Sequence, residues 1–330
     1  MSYNLAIVGA TGMVGRQFID ILVERNFPIK EVYMFASKKS ANSIIKFDNK
    51  EITVEELNED NIKSKKIDIA LFSAGGDISL KYAPIFAAQG AVVIDNSSAW
   101  RMDPSVPLVV PEVNAEDILW NKGIIANPNC STIQAMVALK PLYDNFGIKR
   151  VIYSTYQAVS GAGVQGLKDL EDGLKGEKPK KFPRAITNNL IPHIDVFLEN
   201  GYTKEEMKMI EETKKILHDD KLKVTATTVR VPVFYGHSES INVELNEAFQ
   251  LDHLKDVLKN FPGIVVQDNL EELEYPTPLE CQGKDEVFIG RIRRDFSVEN
   301  GVNLWVVADN IRKGAALNAV QIAEYLIKNK

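Results

Sequence analysis

Short apolar runs alternate with helical patterns through the first part of the chain. Residues 5–8 form one apolar run, and Phe18, Ile19 and Leu22 then recur at the spacing of one helix face. Further apolar runs occur in EVYMFAS, IDIALFSAGG (67–76), GAVVIDNSS (90–98) and GIIAN (123–127). Strands that alternate with helices in this way predict a parallel, doubly wound α/β sheet, with ligands at the carboxyl ends of its strands.

From about Lys149 the pattern changes to long runs that are rich in β-branched and aromatic residues. These runs are RVIYSTYQAVSGAG, VTATTVRVPVFYGHSESINVELN, VFIGRIRRDF and NLWVVADN. They predict an α+β domain with a mixed or antiparallel sheet, one face of which is free to pack on a partner subunit. Thr203 and Glu206 have the spacing of a capping box, and Glu205 and Lys208 project from one side of the helix that follows.

The last segment, residues 314–330, has small and apolar residues at helical spacing and predicts a helix that returns to the first domain. We therefore expect a first domain of residues 1–128 completed by residues 311–330, and a second domain of residues 129–310. A chain of 330 residues with 45% hydrophobic and 25% charged residues is typical of a globular protein of about two domains.

The net charge of −6 and the absence of a long basic run argue against nucleic acid as a partner. The chain has two cysteines and shows no signal peptide, which indicates a reducing, cytoplasmic location without a disulfide framework. No apolar run approaches the ~20 residues that a membrane span requires, so we expect no membrane partner.

Gly9, Gly12 and Gly15 follow the first apolar run and precede the first helix. Glycines in this place allow a tight turn and a close approach of the backbone to a pyrophosphate, as in Rossmann-type domains. After the second strand the chain reads Ser37-Lys38-Lys39-Ser40, where NAD-selective sites usually have an acidic residue. This sequence favours NADP over NAD, although a solvated loop would have the same composition.

Cys130 lies in IANPNCSTIQ, between a turn and the start of a predicted helix. A cysteine at a helix N-terminus reacts more readily because the helix dipole favours the thiolate, and the alternative is a small buried residue. Among the four histidines, His237 is the candidate catalytic residue, because it follows a glycine at a break between strands. Spacing alone does not show that Cys130 and His237 meet.

Over essentially its whole length the chain resembles the aspartate-semialdehyde dehydrogenase family. The matching stretches are GATGMVG, FASKKS, FSAGG, DNSSAWRM, VPEVN, NPNCSTIQ, YQAVSGAG, RVPVFYGHSES and VADNIRKGAA. The resemblance implies an N-terminal NADP-binding domain completed by the C-terminal helix, and a catalytic domain that forms a homodimer, with pairing of dimers into tetramers left open. It also implies the reversible conversion of aspartate 4-semialdehyde, phosphate and NADP+ to 4-aspartyl phosphate and NADPH, a step in the biosynthesis of lysine, threonine, methionine and diaminopimelate.

The resemblance also implies a role for each matching residue, and no metal ligand is among them. Cys130 would be the nucleophile that forms an acyl-thioester, and His237 the general acid/base. The remaining catalytic and substrate-binding residues are Gln157 (orienting the acyl group), Asn129 (catalytic), Arg230 (substrate carboxylate), Glu205 (substrate ammonium), Arg101 and Lys208 (phosphate). The cofactor-binding residues are Gly9, Thr11, Gly12, Met13, Val14, Ser37, Lys39, Ser40, Ser73, Gly75, Ser160, Gly161, Gly163 and Asn310.

One residue departs from the family pattern. Lys39 stands where the family commonly has an arginine, and lysine keeps the charge but loses planar stacking on adenine.

Several alternative functions remain. Glyceraldehyde-3-phosphate dehydrogenase and N-acetyl-glutamyl-phosphate reductase differ from this chain in the sequence around the catalytic cysteine. A malonyl-CoA-type or other acyl reductase of the same superfamily is the main enzymatic alternative, and a non-catalytic NADP-binding protein is the non-enzymatic one.

Overall fold

The computed structural model describes residues 2–329, which form two compact units. The first unit contains the described residues up to Pro128 together with those from Ala315 onward, and the second is Asn129–Gly314. Within residues 2–329, no helix is both long and apolar enough to cross a membrane.

The first unit is built on a six-stranded sheet in the order β5-β2-β1-β6-β7-β8, and every pair of neighbours is parallel. The predicted alternation of strands and helices is therefore confirmed. A separate hairpin of β3 and β4 follows β2. The strands are β1 (Tyr3–Val8), β2 (Ile29–Ala36), β3 (Ile44–Phe47), β4 (Lys50–Thr53), β5 (Glu55–Glu56), β6 (Ile69–Phe72), β7 (Val92–Asp95) and β8 (Ile124–Ala126). The helices are α1 (Met13–Glu24), α2 (Glu59–Lys63), α3 (Gly76–Ala88) and α4 (Pro111–Asn114), followed by a 3₁₀ helix at Ala115–Trp120.

Glycines shape the turn between β1 and α1. Gly9 has φ of +83°, a left-handed conformation that side chains disfavour, and a Cβ there would lie 2.7 Å from the carbonyl oxygen of Ser73. A Cβ on Gly15 would lie 2.2 Å from the carbonyl oxygen of Gly9. These contacts explain why glycine is required in a turn that brings β1, β6 and α1 so close together.

The second unit contains a mixed six-stranded sheet in the order β10-β9-β11-β14-β13-β12. The outer pairs β10/β9 and β13/β12 are parallel and the three inner pairs are antiparallel, which confirms the predicted mixed sheet. The strands are β9 (Ile148–Gln157), β10 (Lys223–Arg230), β11 (His237–Leu245), β12 (Ile264–Val266), β13 (Val287–Asp295) and β14 (Gly301–Ala308). The helices are α5 (Cys130–Phe146), α6 (Val164–Leu174), α7 (Lys204–Leu217), α8 (Leu251–Lys259) and α9 (Pro278–Cys281), with a 3₁₀ helix at Val159–Ala162.

The predicted C-terminal helix consists of two consecutive helical segments. A π-helical turn spans Arg312–Leu317, and α10 spans Asn318–Lys328. Val320 and Ile322 of α10 are fully buried in one apolar cluster with Leu5 and Ile7 of β1. The predicted packing of this helix on the first unit is therefore correct, because its apolar face completes the core beside β1.

Candidate active site

Cys130 is the first residue of α5, and it is partly exposed. Asn129 caps this helix, because its side-chain oxygen accepts the backbone N–H of Ser131 at 3.0 Å and that of Thr132 at 3.4 Å. The sequence predicted a helix start at this point, and the structure has Asn129 as its N-cap. Gly314 allows close packing beside the thiol, since a Cβ on it would lie 3.0 Å from the Cβ of Cys130. A helix N-terminus favours negative charge, so this position suits a cysteine that reacts as a thiolate.

Three of the predicted site residues lie in one row across neighbouring strands. Arg230 of β10 pairs with Gln157 of β9, and the register between β9 and β11 brings His237 into line with Gln157. Residues that lie directly opposite each other on neighbouring strands have their side chains on the same face of the sheet. The three side chains consequently share one buried face, with exposed fractions of 5%, 1% and 0% for Arg230, Gln157 and His237.

The carboxylate of Glu205 links several predicted site residues. Its Oε1 accepts the side-chain amide of Asn129 at 2.9 Å and that of Gln157 at 3.1 Å, and its Oε2 accepts the ammonium of Lys208 at 2.9 Å. Burial alone would raise the pKa of Glu205, but the charge and hydrogen bond of Lys208, with Asn129 and Gln157, lower it to about 2. A carboxylate offers about four lone-pair positions, so three donors leave room for one more, such as a substrate ammonium.

Lys208 lies between two carboxylates. Its Nζ donates to Asp195 at 2.8 Å and to Glu205 at 2.9 Å. Burial lowers the pKa of Lys208, but these two neighbours more than compensate and the pKa is raised overall. The ammonium has three N–H donors, and two are directed at these carboxylates. An anion that binds Lys208 would therefore share its charge with Asp195 and Glu205.

The peptide group of Ala158 holds both His237 and Arg230. The backbone N–H of Ala158 donates to Nδ1 of His237 at 3.0 Å, and its carbonyl oxygen accepts Nη1 of Arg230 at 2.7 Å. A Cβ on Gly161 would lie 2.9 Å from Nη1 of Arg230 and 3.3 Å from Nε2 of His237. Gly161, which the sequence assigned to the cofactor, therefore leaves open the space beside these two side chains.

Burial and charge set the ionisation of this pair. Burial, and then the charge of Arg230, lower the pKa of His237 to about 3, while Glu205 acts in the opposite direction. Burial lowers the pKa of Arg230 as well, and the charges of Glu205 and Cys130 partly oppose this. Arginine nevertheless stays protonated in proteins. The row therefore combines a neutral imidazole with a permanent positive charge.

The cofactor residues predicted in the first unit lie around the glycine turn. A cavity of about 280 Å³ is lined by five of them, Gly9, Thr11, Gly12, Ser37 and Ser73. Met13 and Val14 open α1, and Gly75 is the residue that precedes α3. Lys39 is exposed in the turn after β2, and the N–H of Ser40 closes this turn on the carbonyl oxygen of Ser37 at 2.9 Å.

The other predicted cofactor residues belong to the second unit. Ser160 and Asn310 are buried and joined, because Nδ2 of Asn310 donates to Oγ of Ser160 at 3.0 Å. The side-chain oxygen of Asn310 also accepts the N–H of Gly236 at 2.9 Å, directly before His237. Gly163 ends the 3₁₀ helix that contains Ser160. This cluster therefore supports the loop that leads into β11.

Arg101 lies in the first unit and is 7% exposed. Its Nε donates to the carbonyl oxygen of Asn127 at 2.9 Å, and Nη2 donates to that of Asn96 at 2.8 Å. Both acceptors follow strands of the parallel sheet, so Arg101 lies at the carboxyl ends of these strands, where ligands bind in such folds.

Two buried residues that the sequence analysis did not identify support the site. Oε2 of Glu212 accepts the backbone N–H of Asn129 at 2.7 Å, and Oγ1 of Thr155 donates to the side-chain oxygen of Gln157 at 3.0 Å. Strand alternation relates Thr155 to Gln157, and helical periodicity puts Glu212 two turns after Glu205. Those periodicities are the only features of the sequence that point to Thr155 and Glu212. No sequence pattern indicates the contact between Ala158 and His237, because the donor is a backbone N–H group.

Two family profiles match most of the chain. The family described as semialdehyde dehydrogenase, NAD binding domain, matches residues 4–120, and the semialdehyde dehydrogenase dimerisation domain matches residues 139–313. The chain is 60% identical over 337 aligned residues to the aspartate-semialdehyde dehydrogenase of Aquifex aeolicus, with 99% of each chain covered. It is 48% identical to that of Bacillus subtilis, with 98% of this chain and 97% of the relative covered.

Solved structures show the same similarity. The crystal structure of aspartate semialdehyde dehydrogenase II complexed with ASA from Vibrio cholerae has a TM-score of 0.96 and 48% identity, with 99% of both chains covered. The aspartate semialdehyde dehydrogenase with NADP from Candida albicans has a TM-score of 0.78 and 26% identity, also with 99% of both chains covered.

Proposed function

The chain belongs to the aspartate-semialdehyde dehydrogenase family, and we propose that it catalyses the family reaction through an acyl-thioester on Cys130. The reaction is the reductive dephosphorylation of 4-aspartyl phosphate to aspartate 4-semialdehyde in amino-acid biosynthesis. The observation that carries the proposal is the position of Cys130, which follows a helix cap held by Glu205 in the same network as Gln157.

The chemistry follows from the residue types. The thiolate of Cys130 adds to the aldehyde carbon and forms a C–S bond, and oxidation of this adduct leaves a thioester that phosphate attacks. Gln157 has its side-chain oxygen held by Thr155 and its amide directed at Glu205, so its orientation is determined before substrate binds. We assign the acyl group of the substrate to Gln157 on this basis.

The substrate's ionic groups fit the charged residues. Arg230 is buried, permanently charged and held in place by the carbonyl oxygen of Ala158. Its planar guanidinium suits bidentate binding of the substrate carboxylate. Glu205 is ionised and has room for one more donor, which suits the substrate ammonium. We assign the phosphate to Lys208 and Arg101, the two remaining cations of the predicted site.

NADP is the cofactor that we propose for the first unit. The turn at Gly9 and Gly15 has no space for side chains, as a pyrophosphate site requires, and Lys39 supplies positive charge for a 2′-phosphate. Bound there, NADP would accept or return the hydride of the aldehyde carbon. We propose residues 1–128 with 311–330 as the NADP-binding domain, and residues 129–310 as the catalytic and dimerisation domain.

We also infer a homodimer in the cytoplasm. The second unit matches a family described as a dimerisation domain, and it exposes Tyr156 and Phe234 by 37% and 36%. Pairing of dimers into tetramers is compatible with this proposal. Both cysteines are free, which is typical of a reducing compartment.

One assay tests the proposed function. Purified protein is mixed with aspartate semialdehyde and NADP+, with and without phosphate, and NADPH is followed by absorbance. We expect sustained turnover only with phosphate, because the thioester needs an acceptor, and a single burst without it. Sustained turnover with coenzyme A in place of phosphate would instead favour the acyl-CoA reductase alternative.

A further inference from the structure

An irregular segment after α6 runs beside Arg230, the residue that we assign to the substrate carboxylate. Residues 175–190 lead from α6 to Ile191, which pairs with Arg230 as an isolated antiparallel bridge. The N–H of Ile191 donates to the carbonyl oxygen of Arg230 at 3.0 Å, and the N–H of Arg230 donates to that of Ile191 at 2.8 Å. The segment is therefore attached to the last residue of β10 by its backbone.

Phe182 of this segment covers the guanidinium of Arg230. The Cζ atom of Arg230 lies 5.9 Å from the centroid of the Phe182 ring. The face of an aromatic ring attracts a cation within about 6 Å, and this attraction is stronger when the cation is removed from water. Arg230 is such a cation, since it is buried and its Nη1 donates to the carbonyl oxygen of Ala158 at 2.7 Å. The ring and this carbonyl group therefore both restrain the guanidinium.

The Phe182 ring itself packs against a small buried cluster of the second unit. The members of the cluster are Val159, Leu170, Ile186 and Ile191, with Leu167 and Phe182 packed against them. Val159 directly follows Ala158, and Ile191 is the bridge partner of Arg230. The cluster thus supports the ring with residues whose backbone is already attached to Arg230 or adjoins its hydrogen-bond acceptor.

Asp169 of α6 holds the residues that lead into Phe182. Its Oδ1 accepts the N–H of Lys180 at 2.9 Å, and its Oδ2 accepts the N–H groups of Lys181 at 2.7 Å and Phe182 at 2.8 Å. Burial would raise the pKa of Asp169, but these three N–H groups and the charge of Lys180 lower it overall. Because an irregular backbone needs partners for its N–H groups, one carboxylate that binds three in succession determines the local path of the chain.

We propose that Phe182 is a positioning residue for Arg230, and that Asp169 holds Phe182 in place. The proposal rests on the proposed function, which assigns the substrate carboxylate to Arg230. Bidentate binding of a carboxylate requires a defined guanidinium plane, and a restrained side chain loses less conformational freedom when the substrate arrives. Phe182 should therefore affect the use of the semialdehyde and leave the use of phosphate unchanged.

Two substitutions of Phe182 test the role of the ring. Phe182→Leu keeps an apolar side chain in the cluster but removes the aromatic face, whereas Phe182→Tyr keeps this face. We expect Phe182→Leu to lower kcat/KM for aspartate semialdehyde by about 3- to 30-fold, the range for a desolvated cation–π contact, with no change in the KM for phosphate. Phe182→Tyr should remain close to the wild type. Unchanged semialdehyde kinetics in Phe182→Leu, or an equal loss in Phe182→Tyr, would overturn the proposal.

A change in packing alone should not reproduce this effect. Ile186→Val removes one methylene group from the same cluster and keeps the Phe182 ring. We expect this variant to have a lower Tm but an unchanged kcat/KM for the semialdehyde at a temperature where it is fully folded. If Ile186→Val lowered kcat/KM as much as Phe182→Leu does, packing would account for both losses and the positioning role would be wrong.

A double-mutant cycle tests whether Asp169 acts through Phe182. Asp169→Asn keeps the shape of the side chain but has only one acceptor oxygen, so it should lower kcat/KM for the semialdehyde. In the Phe182→Leu background the same change should have little further effect, because the ring is already absent. Glu171→Gln makes the same change of charge at an exposed position of α6 and is the matched control. Losses that multiply in the double variant would contradict the role of Asp169.

Arg230→Leu separates this proposal from the proposed function. If Arg230→Leu left kcat/KM for the semialdehyde unchanged, Arg230 would not bind the substrate carboxylate, and both proposals would be wrong. If Arg230→Leu lowered kcat/KM strongly while Phe182→Leu did not, only the positioning role would be wrong. A loss in both variants, with the KM for phosphate unchanged in Phe182→Leu, would support both.

Discussion

Glu212 accepts the backbone N–H of Asn129 at 2.7 Å, one residue before the candidate nucleophile. Asn129 is also held through its side chain by Glu205, so two carboxyl groups of α7 determine the position of one helix cap. Glu212 is 1% exposed. Because Asn129 directly precedes Cys130, this contact restrains the direction from which the thiol meets its substrate.

We expect Glu212→Met to lower kcat by up to about 10²-fold, since a misplacement of about 1 Å at the reacting atom has effects of this size. Methionine keeps the length of the side chain but offers the Asn129 N–H no strong acceptor. Glu212→Gln keeps an acceptor oxygen and should retain most of the activity. Steady-state kinetics, normalised to the burst of acylated enzyme, measure the effect.

Glu211→Met is the matched control, since the Glu211 side chain is 41% exposed on the same helix. Equal kcat in the Glu211 and Glu212 variants would show that the contact does not position the thiol.

The two cysteines should differ completely in reactivity. Cys281 is buried at the end of α9, and burial raises the pKa of its thiol to about 12. Cys130→Ala should therefore abolish both turnover and acyl-enzyme formation, while Cys281→Ala should keep both. Mass spectrometry after brief alkylation of the folded wild type should find label on Cys130 alone. Comparable loss of turnover in the two variants would refute the assignment of the nucleophile.

Arg101 and Arg230 should act on different substrates. Loss of a charge-assisted contact with an anion costs about 2–4 kcal/mol, or roughly 30- to 1000-fold. Arg101→Leu should raise the KM for phosphate by such a factor and still permit acylation in a single turnover without phosphate. Arg230→Leu should impair acylation itself, because the aldehyde is no longer directed at Cys130. Rapid-quench measurements with and without phosphate separate these outcomes, and the reverse pattern would exchange the two roles.

Glu239 should make the protein less stable as the pH rises. Its side chain is fully buried, neither carboxyl oxygen has a hydrogen-bond partner among the described residues, and burial raises its pKa well above 4.5. Above pH 4.5 the unfolded chain releases a proton that the folded protein must keep, so the free energy of unfolding falls by up to about 1.4 kcal/mol per pH unit until the folded pKa is reached.

Glu239→Gln removes this titration while keeping the shape of the side chain. We expect its stability relative to the wild type to be greater at pH 8 than at pH 5.5, measured by urea unfolding at both values. Glu247→Gln, an exposed position just after the same strand, serves as the control. If the difference between Glu239→Gln and the wild type were independent of pH, Glu239 would not be the proton-holding group.

The preference for NADP+ should depend on Lys39. Lys39→Glu places a negative charge where we expect the 2′-phosphate, so kcat/KM with NADP+ should fall at least about tenfold while that with NAD+ changes little. Lys122→Glu changes the net charge equally at another exposed position of the first unit and should leave the ratio unchanged. A wild-type kcat/KM that is higher with NAD+ than with NADP+ would contradict the cofactor assignment.

The sequence alone determined those features that depend on residues close together along the chain. The capping box of Thr203 and Glu206 spans three positions, and the structure contains both of its hydrogen bonds, at 2.7 and 3.3 Å. The glycines after β1 and the apolar face of α1 were likewise read from local spacing. Such features are local because backbone geometry and helical periodicity are the same in any fold.

Tertiary structure alone decided which of the candidate residues meet. His237 and Ala158 are 79 positions apart, and Glu212 and Asn129 are 83 apart. These contacts depend on the register of β9 with β11 and on the packing of α7, neither of which a local pattern specifies. A shift of one residue in that register would turn His237 to the other face of the sheet. The sequence therefore predicted which residues have the right chemistry, whereas the hydrogen bond of Ala158 to His237 and the restraint on Asn129 beside Cys130 followed only from long-range pairing.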